Sequence, residues 1–486
     1  MKLVISNYGA IKRSTIDLSK KLYVFVGYNN TGKTYLTKLI YEIFNPDTLT
    51  EFSNSNYNKF DYEGTDNLTL TQEIIDEVLL DFSKFLKNVI IKKILKTKSH
   101  RNLSIKFEYD IKDVKKDELK SGAIIGVPET KTEVEIYNLK KKKNSLEINF
   151  EHFNLDDIFS KLPSDFFDIV PKKSFKDQII SVKQDVSKRI IASLLNLLLQ
   201  IKEKPFFLPS NRVSILENAE EFKRQDDLRK KELSEFIIDL LENKTKKKTS
   251  ISKMLAKKSE SEQPSYIEYL INKIVELRSE KDDDFIIKGT GFYNKLLLNF
   301  KNILGGEIVF EKKSKLSNRV EKFKIEENKA IVMQLASSSV NQLSSLFLFL
   351  KYWAKPERNF LMIDEPEENL HPKNQILLLN LLMEFIDTNN RLLITTHSPL
   401  ITETINNYII LSQLKDSKKI AKDRGLNTTS INPNNTGIYF FQGEKTVEHT
   451  SENYGTTFTS FKLAQDDVYN LGEELRDLMF TQLNKD

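Results

Sequence analysis

Residues Gly27–Thr34 read GYNNTGKT, and their types and spacing could hold a nucleotide. They fit the pattern G-x-x-x-x-G-K-[ST], with an apolar run before them and helical spacing of apolar residues after them. Glycines let backbone N–H groups wrap around phosphates, and the start of the following helix adds partial positive charge. We predict that Lys33 contacts the phosphate oxygens and that Thr34 is a ligand of Mg²⁺. The predicted nucleotide-binding residues are Gly27, Tyr28, Asn29, Asn30, Thr31, Gly32, Lys33 and Thr34.

A second group of candidate residues follows two later apolar runs. Phe360–Ile363 leads into Asp364 and Glu365, and Arg391–Thr395 leads towards His397. An acid at the end of a buried strand can hold Mg²⁺ through water, so we assign that role to Asp364. The next acid, Glu365, is then placed to activate the attacking water. His397 is expected to contact the γ-phosphate, and a purely structural hydrogen bond is the other interpretation. Together with the glycine loop, these residues predict an ATP hydrolase.

The composition excludes several other kinds of chemistry. The 486 residues include no Cys and five His, which excludes disulfides and Cys-ligated zinc and leaves little room for a histidine cluster. A net charge of +5 is too small at this length to predict polyanion binding. The longest apolar candidate, Leu343–Tyr352, is too short to span a membrane, and the N-terminus lacks a signal-peptide core. We therefore expect a cytoplasmic protein of two lobes with no membrane partner.

The spacing of apolar residues predicts an α/β fold interrupted by an insertion. Short strands open the chain, a helix runs from the glycine loop to Pro46, and a polar loop is expected over 53–70. Antiparallel strands are predicted between 103 and 150, with the lysines of 140–143 in a hairpin turn. Amphipathic helices follow as far as 304, and strands and helices then alternate as in parallel β-α-β units.

The predicted fold class is therefore an α/β P-loop ATPase head with mixed and parallel sheets, an antiparallel β-lobe and an inserted helical arm. We divide the chain into four parts. They are 1–170 for the N-terminal part of the head, 171–304 for the arm with a flexible segment at 244–264, 305–410 for the C-terminal part of the head, and 411–486 for an extension suited to assembly or partner contacts.

The motifs resemble those of ABC-type ATPases of the SMC, RecF and OLD group. The resemblance rests on IDEPEENLHP at 363–372, TTHSP at 395–399, GYNNTGKT and the opening ISNYG, and it covers about Met1–Tyr41 and Lys329–Tyr408. In that group a signature motif about thirty residues before the aspartate caps the ATP of a partner subunit. The matching segment has serine at both glycine positions, and the resemblance implies that Ser337, Ser338 and Ser339 bind this ATP. A serine-rich N-cap of the following helix is the alternative interpretation.

Further residues are carried over from the same resemblance. Arg212 closes LPSNR at 208–212, which is similar to an L-P-A-x-R segment of OLD-like ATPases, and this implies a position near the nucleotide. Glu367 and Asn369 match positions whose contacts cross a dimer. The glutamine of the group's Q-loop is left open among Gln72, Gln178 and Gln184.

The resemblance also bears on what the ATPase controls. OLD proteins carry a nuclease that needs a D-x-D pair, and the roughly ninety residues after His397 have none on an apolar strand, so no intrinsic nuclease is expected. The chain is similar in build to the ATPase subunits of bacterial anti-phage defence systems such as Septu and PARIS, whose effector nuclease is a separate protein. This implies an ATP- and Mg²⁺-dependent sensor or scaffold that forms a head-to-head dimer or higher homo-oligomer, with an effector nuclease and a DNA or phage-protein trigger as partners. The alternative is an SMC- or RecF-like clamp that acts on DNA in repair or recombination, with basic stretches at 140–143, 244–248 and 257–258.

Overall fold

A computed structural model describes residues 1–56, 67–95, 102–110, 112, 124–126, 133–135, 138–141, 145–149, 188, 191–201, 204–242, 264–312, 318–326, 329–426, 431–442, 445–449 and 469–476. Apart from its last residue, the expected flexible segment at 244–264 lies outside these ranges. So do Gln178, Gln184 and the lysines of 244–248 and 257–258.

Strands and helices alternate along much of the described chain. The strands are β1 (Lys2–Tyr8), β2 (Ile11–Asp17), β3 (Leu22–Gly27), β4 (Asn67–Thr71), β5 (Ser104–Glu108), β6 (Ile124–Gly126), β7 (Glu133–Glu135), β8 (Asn138–Lys141), β9 (Ser145–Asn149), β10 (Phe206–Leu208), β11 (Glu307–Lys312), β12 (Arg319–Glu326), β13 (Lys329–Val332), β14 (Phe360–Asp364), β15 (Arg391–Thr396), β16 (Thr436–Gln442) and β17 (Lys445–His449). The helices are α1 (Lys33–Phe44), α2 (Pro46–Asn56), α3 (Gln72–Val89), α4 (191–199), α5 (Arg212–Glu242), α6 (Ser265–Ser279), α7 (Asp283–Lys288), α8 (Asn294–Leu304), α9 (Ser338–Leu348), α10 (Pro372–Asp387), α11 (Pro399–Ser412), α12 (Ser417–Asp423) and α13 (469–476).

The central sheet brings the ends of the motif strands together. Its order is β10-β14-β15-β3-β16-β17-β2-β1-β5. From β10 to β16 neighbouring strands are parallel, whereas β2, β1 and β5 pair antiparallel. Because the carboxyl ends of parallel strands meet at one edge, β14, β15 and β3 deliver their following loops to the same place. Smaller antiparallel sheets are formed by β11-β12-β13, β4-β9-β8 and β6-β7. This arrangement confirms the predicted α/β class with mixed, parallel and antiparallel sheets.

Apolar residues cover both faces of the central sheet. In β3, Leu22, Val24 and Val26 pack into one hydrophobic cluster, and Tyr23 and Phe25 pack into another on the opposite face. A strand buried on both sides appears in the sequence as a continuous apolar run, which is the pattern at 22–26, 360–363 and 392–394. The loops that carry the candidate residues are therefore attached to a rigid, fully covered support.

Two segments outside the predicted head contribute strands to the central sheet. β10 falls in the predicted arm and pairs with β14, and β16 falls in the predicted C-terminal extension and pairs with β3 along its whole length. Local spacing could not show these contacts, because each joins residues far apart in the sequence. The division of the chain into four parts stays a prediction.

Local details differ from the sequence-based expectations near residue 50 and residue 140. Pro46 begins α2 instead of only ending α1, since proline is tolerated in the first turn of a helix. The polar loop expected over 53–70 is helical up to Asn56 and extended from Asn67. Lys140 and Lys141 belong to β8 and not to a turn, and the other two lysines of 140–143 lie outside the described residues. None of the described helices is both long and apolar enough to cross a membrane.

Candidate functional site

The glycine loop joins the end of β3 to the start of α1, as the sequence predicts. Gly27 has φ +145°, and a Cβ atom there would lie 2.4 Å from the carbonyl oxygen of Phe441 on β16. Gly32 has φ +99°, and its Cβ would lie 2.7 Å from Cγ1 of Ile11. Both positions therefore require glycine for conformation and for space. Phe441 was not among the predicted site residues, and only its pairing with Gly27 reveals that it shapes the loop.

Lys33 is buried within the loop that it serves. Its Nζ donates hydrogen bonds to the carbonyl oxygens of Gly27, at 3.0 Å, and Tyr28, at 2.7 Å. Burial lowers the pKa of Lys33 to about 8, and the nearby carboxylates of Glu365 and Asp364 oppose this shift. The ammonium is thus held at the loop by carbonyl groups that a phosphate could replace.

Thr34 and Asp364 meet at this edge of the sheet. The Thr34 hydroxyl donates to Asp364 Oδ2 at 3.0 Å, and the Thr395 hydroxyl donates to Asp364 Oδ1. Asp364 is 2% exposed, and burial raises the pKa of its carboxyl while these two hydrogen bonds lower it. Thr395 was missed as a site residue, although two threonines at the end of a buried strand were a visible signal.

The paired hydroxyl and carboxylate oxygens suit Mg²⁺. No group of three or more His, Cys, Asp or Glu within the described ranges could hold a metal by itself. Mg²⁺ is usually bound through one or two carboxylates together with substrate phosphates and water. Thr34 and Asp364 fit this pattern, with the nucleotide and water expected to supply the remaining ligands.

Glu365 and His397 face each other across the ends of β14 and β15. The distance between His397 Nε2 and Glu365 Oε1 is 3.4 Å, and their side chains are 29% and 37% exposed, respectively. The hydrogen bond from His397 lowers the pKa of Glu365, which keeps this carboxyl ionised at neutral pH. Glu365 has φ +49°, a left-handed conformation that is uncommon outside glycine. Solvent therefore reaches the ionised carboxylate of Glu365, which lies next to Asp364 in the chain.

The carboxyl group of Glu367 faces into its own chain. Its Oε1 accepts hydrogen bonds from the Thr396 hydroxyl, at 2.6 Å, and from the His397 backbone N–H, at 2.9 Å. Its Oε2 is buried and has no hydrogen-bond partner among the described residues. Burial raises the pKa of the Glu367 carboxyl. This carboxyl group joins the two motif loops within one chain, whereas Asn369, at φ +59°, is exposed.

Ser337–Ser339 open helix α9 at the molecular surface. Ser337 is the N-cap and accepts a hydrogen bond from the Val340 N–H, and its hydroxyl lies 2.9 Å from that of Ser339. Ser337 and Ser338 are exposed, and Ser339 is partly exposed. Within the described residues the three serines make no hydrogen bond to the glycine loop. The geometry therefore includes the predicted N-cap and leaves the hydroxyl groups open to a ligand.

Arg212 lies behind the acids and is 1% exposed. Its guanidinium donates to the carbonyl oxygens of Pro209, Gln342, Asp364 and Glu365. The resemblance placed Arg212 near the nucleotide. Its hydrogen bonds instead favour a role in supporting the turn at 364–368, called the acidic turn below, over a contact with phosphate. Gln72, one of the Q-loop candidates, is the first residue of α3. Its side-chain amide donates hydrogen bonds to Asp76 and to the carbonyl oxygen of Tyr109.

Comparison with known proteins gives a family match and distant structural relatives. No curated protein sequence matches the chain. Similar solved structures include a Pyrococcus furiosus Smc head domain with an extended coiled coil bound to the C-terminal domain of ScpA (12% identity, 98% of each chain, TM-score 0.37). Others are an SmcHead bound to the C-winged helix domain of ScpA (11% identity, 92% of this chain and 96% of that chain, TM-score 0.37) and the SMC head domain from Thermotoga maritima (10% identity, 93% and 98%, TM-score 0.30). These likenesses are too distant to inform the site.

The family match covers most of the sequence. Residues 1–402 match the AAA_15 family, described as an AAA ATPase domain. That span contains the glycine loop, the acidic turn after β14 and His397. The chain therefore belongs to the AAA ATPase domain family AAA_15 and is an ATP-binding P-loop ATPase.

Proposed function

We propose that the chain hydrolyses ATP at a site that a second copy completes. Lys33 of one subunit and Ser337–Ser339 of its partner would enclose the same nucleotide. The observation that carries this proposal is the position of the three serines. They lie at the start of a helix, where partial positive charge favours a phosphate, and they are open to solvent and unbonded to their own glycine loop.

Each predicted residue has a distinct role in this proposal. The glycine loop and Lys33 bind the phosphates, and Thr34 and Asp364 hold Mg²⁺, which would neutralise charge on the phosphate oxygens. Glu365 accepts a proton from the attacking water, because its carboxylate is ionised and partly exposed. His397 orients that carboxylate from 3.4 Å and would contact the γ-phosphate.

We propose that nucleotide state acts as an assembly switch. ATP would hold two heads together, and hydrolysis would remove the γ-phosphate that both subunits contact. The resemblance of the chain in build to the ATPase subunits of anti-phage systems supports a role as sensor or scaffold for a separate effector, with a nuclease as the expected class. A trigger of DNA or phage protein would act by changing the balance between closed and open heads.

The closing step is tested with Glu365→Gln. This variant should bind ATP and Mg²⁺ and hydrolyse the ATP only very slowly, so light scattering after size exclusion should show a dimer or higher oligomer only when ATP is present. Lys33→Ala is the matched control, and its mass should be the same with and without ATP. A Glu365→Gln protein that binds ATP but keeps the same mass would contradict the shared site.

The defence role is tested by co-purification of the chain from its native operon with and without ATP. Recovery of an effector whose release depends on ATP is the expected result. Tight, ATP-dependent binding of the chain alone to duplex DNA, with no effector recovered, would instead favour the DNA-clamp alternative. That second outcome would leave the shared ATP site intact.

A further inference from the structure

A buried arginine connects three elements around the acidic turn. Arg212 is the first residue of α5, and its guanidinium donates to the Pro209 carbonyl at 3.0 Å. It also donates to the carbonyls of Asp364, at 2.8 Å, and Glu365, at 3.1 Å. A fourth hydrogen bond, of 3.0 Å, goes from Nε to the carbonyl of Gln342 in α9. All four acceptors are backbone atoms, so this guanidinium fixes chain positions.

The turn that Arg212 supports is conformationally unusual. Glu365 has φ +49°, and its N–H donates to the carbonyl and to the hydroxyl of Thr395 at 3.2 and 3.1 Å. Its carbonyl oxygen is held by Arg212 on the other side. Residues in sparsely populated backbone conformations persist where the surroundings over-determine them. For Glu365, the hydrogen bonds from its N–H to Thr395 and from Arg212 to its carbonyl oxygen fix this conformation.

The same guanidinium is tied to the helix that starts at Ser338. Gln342 is 2% exposed and belongs to the second turn of α9, and its side-chain amide donates to Glu368 Oε2 at 2.5 Å. Helix α9 is therefore joined to the acidic turn twice, through the Gln342 carbonyl to Arg212 and through the Gln342 amide to Glu368. A displacement of α9 cannot leave both links and the Glu365 backbone unchanged.

The charge of Arg212 is compensated by its neighbours. Burial lowers the pKa of Arg212 to about 10, and the carboxylates of Glu368 and Asp364 act in the opposite direction. The side chain is thus still cationic at neutral pH. A lysine would keep this charge but has one nitrogen in place of the planar fork, so it could not reach the same four acceptors.

We propose that Arg212 is a positioning residue that couples helix α9 to Glu365. When the serines at the start of α9 close on a partner's ATP, the link through Gln342 and Arg212 sets the backbone of Glu365 for hydrolysis. The coupling rests on the proposed shared site, whereas the hold on Glu365 does not. Through Arg212, ATP bound in the partner's site would affect the conformation of Glu365 in the same subunit as the serines that contact this ATP.

The test compares Arg212→Lys with Arg278→Lys. Arg278 is a matched control, because it is also buried and donates to a carboxylate, Glu321, and a carbonyl, Leu216, away from the acidic turn. Arg212→Lys should lower kcat by about 10- to 100-fold, as for lost positioning of a general base, while KM for ATP changes less than about threefold. Arg278→Lys should leave kcat unchanged whatever it does to the melting temperature. A parallel loss of ATP affinity in Arg212→Lys would show direct nucleotide contact, and an unchanged kcat would also overturn the proposal.

A double mutant separates positioning from general damage. If Arg212 acts through Glu365, Arg212→Lys should not slow the residual hydrolysis of Glu365→Gln any further, whereas additive losses would contradict this. Should Arg212→Lys fail to fold, Arg212→Gln keeps a planar amide donor in place of the guanidinium and should likewise lower kcat with little change in KM for ATP. Normal turnover in Arg212→Gln would then refute the positioning role of Arg212. If wild-type protein never dimerises on ATP, the shared site fails, and the kcat comparison still tests the hold on Glu365.

Discussion

At the scale of single residues, three acids near the end of β14 differ in their surroundings. Burial raises the pKa of Asp364, and two hydroxyl donors oppose the shift. Burial also raises the pKa of Glu367, but a hydrogen bond from His397 lowers that of Glu365. Environments that move neighbouring pKa values apart divide the work among groups of the same type. Glu365 is accordingly the acid that is both ionised and open to water.

Lys33 predicts a pH dependence for nucleotide binding. Its pKa is lowered to about 8 in the free protein, and bound phosphate favours the charged form. Binding should therefore take up a proton above pH 8, and ATP affinity should fall by up to about tenfold per pH unit between pH 8 and pH 9.5. Calorimetry in two buffers of different ionisation enthalpy measures this uptake directly. ATP itself is fully ionised in this range, so an affinity independent of pH would contradict the assignment of Lys33.

Glu367 predicts different effects for two substitutions. Glu367→Gln keeps the oxygen that accepts from Thr396 and His397, so its free energy of unfolding should lie within about 1 kcal/mol of the wild-type value. Glu367→Ala removes both acceptors and should be less stable by about 2 kcal/mol or more. Urea unfolding at pH 7.5 measures the two changes.

The pH dependence of the same pair fixes the sign of the Glu367 shift. A carboxyl whose pKa is raised by folding binds its proton more tightly in the native state. The stability of the wild type relative to Glu367→Gln should therefore increase as the pH falls from 7.5 towards 4.5, the ordinary pKa of glutamate. A decrease over that interval would mean that the native state favours the ionised carboxyl of Glu367.

At the scale of elements, the sequence predicts what depends on local spacing. Runs such as 22–26 and 360–363 are apolar without alternation and end at chemical residues, so strands and site loops follow directly. The pairing of β16 with β3 and the four acceptors of Arg212 depend on residues more than one hundred positions away in most cases. No local pattern encodes such contacts. The same limit hid the inward direction of Glu367, which matched a motif position known for contacts across a dimer.

Helix α9 predicts that capping and phosphate binding can be separated. Ser337→Ala removes the hydroxyl that accepts from the Val340 N–H and should lower stability by about 1 kcal/mol. Ser338→Asp places an acid in the first turn, which the helix tolerates or favours by a few tenths of a kcal/mol. The same charge would repel a phosphate. Ser338→Asp should therefore keep its melting temperature and lose ATP-dependent dimerisation.

A second helix supplies the control for Ser338→Asp. Ser417 is the first residue of α12, outside the site, so Ser417→Asp makes the same charge change at the same helical position. It should leave ATP-dependent dimerisation unchanged when both variants are compared by light scattering. If Ser338→Asp dimerises at the ATP concentrations that the wild type needs, Ser337–Ser339 only cap the helix and do not bind phosphate.

At the scale of the whole molecule, the proposed function assigns two parts of one ATP site to different subunits. The sheet gathers the glycine loop, Asp364, Glu365 and His397 at one edge, and α9 presents its serines to solvent. A two-fold dimer would satisfy both parts at once, because a self-complementary contact repeats each interaction. Lys33 and Glu365 then act in the same site, and Ser338 acts in the site of the partner.

This geometry predicts that two inactive variants restore each other. Lys33→Ala lacks the phosphate-binding lysine, and Ser338→Asp blocks the partner's site, so neither should hydrolyse ATP alone. Because neither variant dimerises alone, the pairs that ATP forms in an equal mixture are mixed and have one intact site each, so up to about half of the wild-type rate should return. Lys33→Ala mixed with Glu365→Gln should stay inactive, because no pairing of these subunits leaves Lys33 and Glu365 intact in one chain. Hydrolysis assays of the two mixtures test this. An inactive first mixture would mean that each chain completes its own site, and an active second one would mean that Lys33 and Glu365 of different subunits act together.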